Sequence, residues 1–330
     1  MKKNIIYCLF LTILFLSCEK DNITTPTQTI KNISIDSLKV ITTNLPKASY
    51  TDLTFLNSNT GFAVAQGIIV KTNDGGLNWN AYTEMNINTA LKKIQFIDSK
   101  IGYTFGNNGD NGVLLKTTNA GLTWNNINYG GTEYLNGMFF INKDVGFLVG
   151  NNIFCKTTNG GLTWTNIKSP EYQIFNDINF KNNSEGIVTS NNGVYLETKN
   201  SGVSWNFQQT KRVDNLGTIY FTENKILVNI SSDSLLNLSN PFEVVNKPAN
   251  AYKLLFINSK QTIGIGNHYE VGFWPSGDIM ISNDFLNNFA QKSYTPVKAI
   301  DFKAITKMDD HKIMIIGLGF ENPLVVTLNF

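Results

Sequence analysis

Residues 156–164 read KTTNGGLTW, residues 116–124 read KTTNAGLTW, and residues 71–79 read KTNDGGLNW. A fourth copy, ETKNSGVSW, occupies residues 197–205, and all four align without gaps. Their tryptophans, Trp79, Trp124, Trp164 and Trp205, lie 45, 40 and 41 residues apart. A fixed period of this size marks units that bury their faces on one another rather than a single irregular core.

Each unit reads as strands. Ahead of the shared nonamer stand short apolar runs, GFAVA (61–65), GYTFG (102–106), GFLVG (146–150) and GIVTS (186–190). They lack the alternation of a half-solvated strand and suit strands covered on both faces. Turn residues follow, then IIVKT (68–72), VLLKT (113–117), IFCKT (153–157) and VYLET (194–198). A further strand precedes each unit, in LTFL (53–56), IQFI (94–97), MFFI (138–141) and INF (178–180). With one more strand starting at each Trp, the repeat holds four strands, the size of a propeller blade.

Within the nonamer the residue types explain themselves. Asp74, Asn119, Asn159 and Asn200 share a slot that suits a short side chain bonding its own backbone two residues on. Gly76, Gly121, Gly161 and Gly202 follow two residues later, where a positive φ is expected. Thr72, Thr117, Thr157 and Thr198 add a hydroxyl before the turn, and the four Trp rings pack on the blade. The nonamer is therefore a structural clasp, with no catalytic residue assigned to it.

This spacing resembles the Asp-box, or bacterial neuraminidase repeat. The blades are most similar to propellers of the photosystem II stability/assembly factor type. The resemblance covers roughly residues 50–210 and implies an all-β propeller. Residues 218–245 keep the strand spacing without a box, and MISNDFLNNF (280–289) is a worn box with Ser282, Asp284 and Phe289. AIDFKAI (299–305), KIMIIGLG (312–319) and LVVTLNF (324–330) supply three C-terminal strands, with SLKVITT (37–43) as their fourth. The expected fold is a β-propeller of about seven four-stranded blades, closed by an N-terminal strand; six or eight blades also fit the spacing.

The N-terminus reads as a targeting signal. Lys2 and Lys3 precede the apolar run 5–16, too short to span a bilayer. FLSC (15–18) resembles a bacterial lipoprotein box, which implies a signal peptide at 1–17 and lipidation of Cys18. A polar, Thr-rich tether follows to residue 30, and the propeller occupies 31–330. The expected location is the envelope of a Gram-negative bacterium, at the outer membrane, with acyl chains holding the protein to the bilayer. Of the three Cys, only Cys155 would remain in the folded body, so no internal disulfide is expected.

Composition restricts the chemistry. The chain has 27 Lys+Arg and 25 Asp+Glu, and loss of Lys2 and Lys3 balances them. Such a chain has no field for nucleic acid. Its one arginine, Arg212, excludes the arginine cluster with which a sialidase holds its substrate carboxylate. It also departs from the arginine patch that the resemblance to assembly factors implies for their partner. His268 and His311 are the only histidines, so neither a metal site nor a cofactor is expected. A non-catalytic module binding protein or glycan is the leading expectation. An envelope assembly factor and a non-sialidase glycoside hydrolase stand as alternatives. In a propeller the links from outer to inner strands gather at one mouth of the channel. Tyr50, Tyr134, Tyr172, Tyr252 and Tyr294 fall on those links, and the loop GNHYEVGFWPSGD (266–278) carries His268, Tyr269, Glu270 and Trp274. Tyr134, Tyr172 and these four loop residues are the candidate binding positions.

Overall fold

A computed structural model describes residues 32–81, 88–168, 173–240, 243–268, 276–294, 300–319 and 322–330. It contains seven four-stranded antiparallel sheets, the blades of a propeller. Blade 1 runs from Asp52–Phe55 through Gly61–Ala65 and Ile68–Thr72 to Trp79–Ala81. Blades 2 to 6 repeat this meander, with innermost strands Thr89–Phe96, Leu135–Phe140, Phe175–Phe180, Ile219–Phe221 and Ala251–Phe256. Blade 7 consists of Ile300–Lys307, Lys312–Gly319 and Pro323–Asn329, and its outer strand is Leu38–Ile41. Leu38 pairs with Leu328 and Ile41 with Val325, so both ends of the propeller meet in one sheet, as the spacing of SLKVITT foretold. The second strands of blades 1, 3 and 4 are buried at every residue, which accounts for their unbroken apolar runs.

The apolar core is divided into seven clusters, each spanning two adjacent blades. Phe62, Val64 and Ile69 of blade 1 pack on Leu91, Ile94 and Leu115 of blade 2. The series ends with Met314, Ile316 and Val325 of blade 7 on Leu53, Val70 and Trp79 of blade 1, which closes the ring. Each blade thus buries its two faces on its two neighbours.

Every box has the same hydroxyl bonds at its Thr or Ser. Thr157 Oγ1 donates to Asn159 Oδ1 at 2.9 Å and accepts from the backbone N–H of Asn159 and of Gly161. The Asx side chain reaches further than the expected two residues. Asn159 Oδ1 accepts from the N–H of Thr163, four residues on, because the intervening turn folds back over it. Gly161 has φ +90° and Gly160 φ +67°, so two successive residues are left-handed. The worn box keeps this geometry with Phe285 at φ +56° and Leu286 at φ +69°, a conformation costly for bulky side chains. There Ser282 and Asp284 make the bonds that Thr and Asn make elsewhere. The partner of the Asx side chain changes with its chemistry. Asp74 and Asp284 accept from the amides of Asn78 and Asn288, whereas Asn119, Asn159 and Asn200 donate to the hydroxyls of Thr123, Thr163 and Ser204.

The Trp stands edge-on to an inner-strand phenylalanine in each boxed blade, as with Phe140 and Trp164, whose centroids are 6.0 Å apart at 84°. Trp79 is buried, while Trp124, Trp164 and Trp205 are half-buried. The same phenylalanine explains the glycine that opens GFLVG. A Cβ on Gly146 would lie 2.4 Å from the Phe140 ring.

Lysine joins neighbouring blades. Lys71 Nζ donates to Ala120 O at 3.0 Å, Lys116 Nζ to Gly160 O at 2.7 Å, and Lys156 Nζ to Gly202 O at 3.0 Å. Each ammonium also lies over an aromatic ring, Phe62, Tyr103 or Phe147, at 5.3–5.4 Å. The Lys of each of the first three nonamers therefore holds the turn of the next one.

Candidate functional site

The innermost strands begin at one mouth of the channel, and a repeated irregularity exposes their first residues there. In blades 2, 3, 4, 6 and 7 the pairing of first and second strands skips one residue: Lys92, Asn136, Asn176, Tyr252 and Lys303. Such a bulge places two consecutive residues on the bent side of the strand. Lys92, Lys93, Asn136, Asp177 and Lys253 thereby line a channel cavity of about 210 Å³, together with Asp52 of the unbulged blade 1.

The charges in this cavity act on one another. Lys253 Nζ lies 2.7 Å from Asp52 Oδ1, and Asp52 Oδ2 accepts from the Ile94 N–H of the next blade. Outside the cavity lining, Lys303 of blade 7 pairs with Asp301 at 2.6 Å. Asp177 accepts from the N–H groups of Ile178 and Ile219. Burial still raises its pKa, against the pull of Lys93 and these two bonds. Among the described residues, Lys92 has no carboxylate partner. Its Nζ donates to Leu135 O at 3.0 Å and to Asn136 Oδ1 at 3.3 Å, and stands 4.2 Å above the Tyr134 ring. Desolvation lowers its pKa to about 8.

The expected tyrosine ring is only partly formed. Tyr134 does stand at the mouth, beneath Lys92. Tyr50 does not: it is 2% exposed, packs in the core between blades 7 and 1, and donates its hydroxyl to Pro46 O. Tyr294 packs edge-on against Phe302. Tyr252 is exposed on the innermost strand of blade 6. Tyr172, Tyr269, Glu270 and Trp274 lie outside the described residues. His268 ends the second strand of blade 6, with Nδ1 2.7 Å from Oδ2 of the fully buried Asp278. Asp278 Oδ1 also accepts from Ser293 Oγ. Arg212 pairs with Asp214 on the surface. The charged channel residues were missed by sequence reasoning. Their signal is the polar pair ahead of each apolar inner strand, as in LKKIQF (91–96) and FNDINF (175–180).

Comparison with known proteins agrees with the ring. A search of curated proteins finds no match. Among solved structures the chain is similar to YCF48 bound to a D1 peptide, with TM-score 0.69 and 15% identity over 92% of this chain and 100% of that one. It is also similar to YCF48 from Cyanidioschyzon merolae, with TM-score 0.65 and 15% identity over 88% of this chain and 98% of that one. A GH74 enzyme of Niastella koreensis gives TM-score 0.65 at 13% identity, over 87% of this chain and only 53% of the enzyme. At such identities these likenesses show a shared fold. The sequence itself goes further, because the family profile described as photosynthesis system II assembly factor YCF48 matches residues 31–137 and 119–210, more than half of the chain. The boxes, the ring and this match together make the chain a member of the photosynthesis system II assembly factor YCF48 family.

Proposed function

We propose that this protein is a lipid-anchored, non-catalytic propeller of the cell envelope that holds an acidic segment of a partner protein at its channel mouth, as an assembly factor would. Lys92 carries the reading. It is a desolvated ammonium without a carboxylate partner among the described residues, in a cavity where Lys253 pairs with Asp52 and Lys93 acts on Asp177. A carboxylate entering the mouth would complete it, and Tyr134 offers a flat apolar face beside it. The solved YCF48 complex with a D1 peptide supports a peptide as ligand class. Lysines here would take the part that the family resemblance gives to arginines.

The test uses the full chain in detergent with labelled twelve-residue peptides of acidic, neutral and basic composition, and a glycan array in parallel. Preference for the acidic peptide, lost in Lys92→Ala, is the expected result. Glycan binding alone, or equal affinity for all three peptides, would contradict it. Incorporation of labelled palmitate, abolished in Cys18→Ser, checks the anchor.

A further inference from the structure

The two faces of the ring differ in what they expose. In blade 2, Phe96, Gly102 and Thr117 pair at one end of the sheet, and Thr89, Asn108 and Asn111 at the other. The box turns therefore project from the face opposite the channel mouth. There they pack on the turns between first and second strands: the Ala120 N–H donates to Lys100 O and the Gly160 N–H to Asp144 O. On this face the seventh residue of each nonamer is apolar and 51% to 78% exposed, as Leu77, Leu122, Leu162 and Val203. The residue after each is polar: Asn78, Thr123, Thr163 or Ser204. One exposed leucine on a turn is ordinary. The same apolar slot in four consecutive blades sets four such side chains at equivalent places along one rim.

The chain enters the ring on this same face. Leu38 pairs with Leu328, which in turn pairs with Ile313 beside the first turn of blade 7, so the borrowed strand starts at the box end. Ile33 is fixed there by Asn283 of the worn box: its N–H donates to Asn283 Oδ1, and its carbonyl accepts from Nδ2, both at 2.9 Å. Residues 19–31 join Cys18 to this entry and reach at most about 45 Å. A lipid on Cys18 would therefore hold the box face, and not the mouth, toward the bilayer. The exposed charges on this face are mixed, with Lys100, Lys143 and Lys181 among Asp98, Asp144 and Glu185. They make no single-sign field for anionic headgroups, so attraction to the membrane must be apolar.

From this we infer that Leu77, Leu122, Leu162 and Val203 form a membrane-contact arc, set into the headgroup and acyl boundary of the bilayer that carries the anchor. The inference rests on the anchor proposed above and adds an orientation to it. The box face lies on the bilayer, and the channel mouth is turned away and open to a partner. Only side chains need to enter, because the box backbone is bonded within each turn by its Thr and Asx residues. Each apolar contact is weak alone. The anchor makes the contacts intramolecular, so four together suffice to hold the face down.

The test uses the full chain, lipidated at Cys18, in phosphatidylcholine vesicles. A thiol-reactive fluorophore is placed on Leu122→Cys, on Leu162→Cys, and on Asp110→Cys in the hairpin at the mouth. Cys155 is buried and does not compete for the label. Lipids brominated on their acyl chains quench a fluorophore that touches them. The first two labels should lose at least about half of their emission, while the third keeps its own. Flotation of the vesicles reports the anchor separately. Flotation with no quenching, or with equal quenching at all three positions, would overturn the orientation and leave the anchor standing. A blue shift of the first two labels without quenching would mean that a second copy covers the arc, and would also overturn it. Failure to float would overturn the anchor and this inference together.

Discussion

Two box positions test the clasp atom by atom. Thr157 Oγ1 is bonded to two backbone N–H groups and to Asn159, and the Gly161 N–H it serves is buried. Thr157→Val keeps the shape and orphans that donor, so a loss of about 1–3 kcal/mol in denaturant unfolding is expected. The acidic boxes respond to pH, and the amide ones do not. The Asn78 backbone N–H, the Asn78 side chain and Thr72 hold the Asp74 pKa below its ordinary value. Stability from that carboxylate is present above the ordinary carboxylate range and lost as pH falls through its lowered pKa. The Asn78 amide resonance should therefore shift on acidification, while that of Thr123, bonded to the neutral Asn119, stays in place. Equal movement of both would show that the clasps open together for another reason.

At the scale of strands and turns, the blades are held by contacts that the repeat itself writes. Lys156 reaches Ser201 O and Gly202 O in the next blade, with its ammonium over the Phe147 ring. Lys156→Met retains the stem and removes the donors. A loss of about 1–2 kcal/mol is expected, measured as the urea midpoint at constant slope. Loss of nothing would mean that water serves those carbonyls equally well. The elements were legible where one residue type has one job. The box Gly must be left-handed, and the apolar second strands are covered on both faces, so both announce themselves. The bulges at Lys92, Asn136 and Asn176 were not legible, because an extra residue in a strand carries no residue type of its own. The worn box was legible only in Ser282, Asp284 and Phe289; its left-handed Phe285 and Leu286 break the glycine rule that identifies the others. Tyr50 and Tyr134 occupy comparable links, yet one is core and one lines the mouth. Their neighbours, Pro46 and Lys92, decide the difference.

Over the whole molecule, the ring depends on one borrowed strand. Leu38 is buried against the last blade, and Ile33 is fixed by both amide atoms of Asn283. Deleting residues 32–41 exposes the edge of Pro323–Asn329 and removes both buried side chains from the core. A loss of about 3–6 kcal/mol is expected, with self-association visible on size-exclusion chromatography. Unchanged melting would mean that the other three strands of blade 7 suffice. The ring in turn gathers residues from blades 1, 2, 3, 4 and 6 around one cavity, which no single blade could form. The central functional claim is that this cavity receives a carboxylate beside Lys92. The most direct measurement follows the Lys92 side chain by NMR through a pH titration of the full chain, with and without a saturating acidic peptide. Alone, Lys92 should titrate near 8, because burial disfavours its charged form. A bound carboxylate favours that form and must raise the midpoint toward the ordinary lysine value. A midpoint unmoved by bound peptide would place the ligand elsewhere and contradict the account.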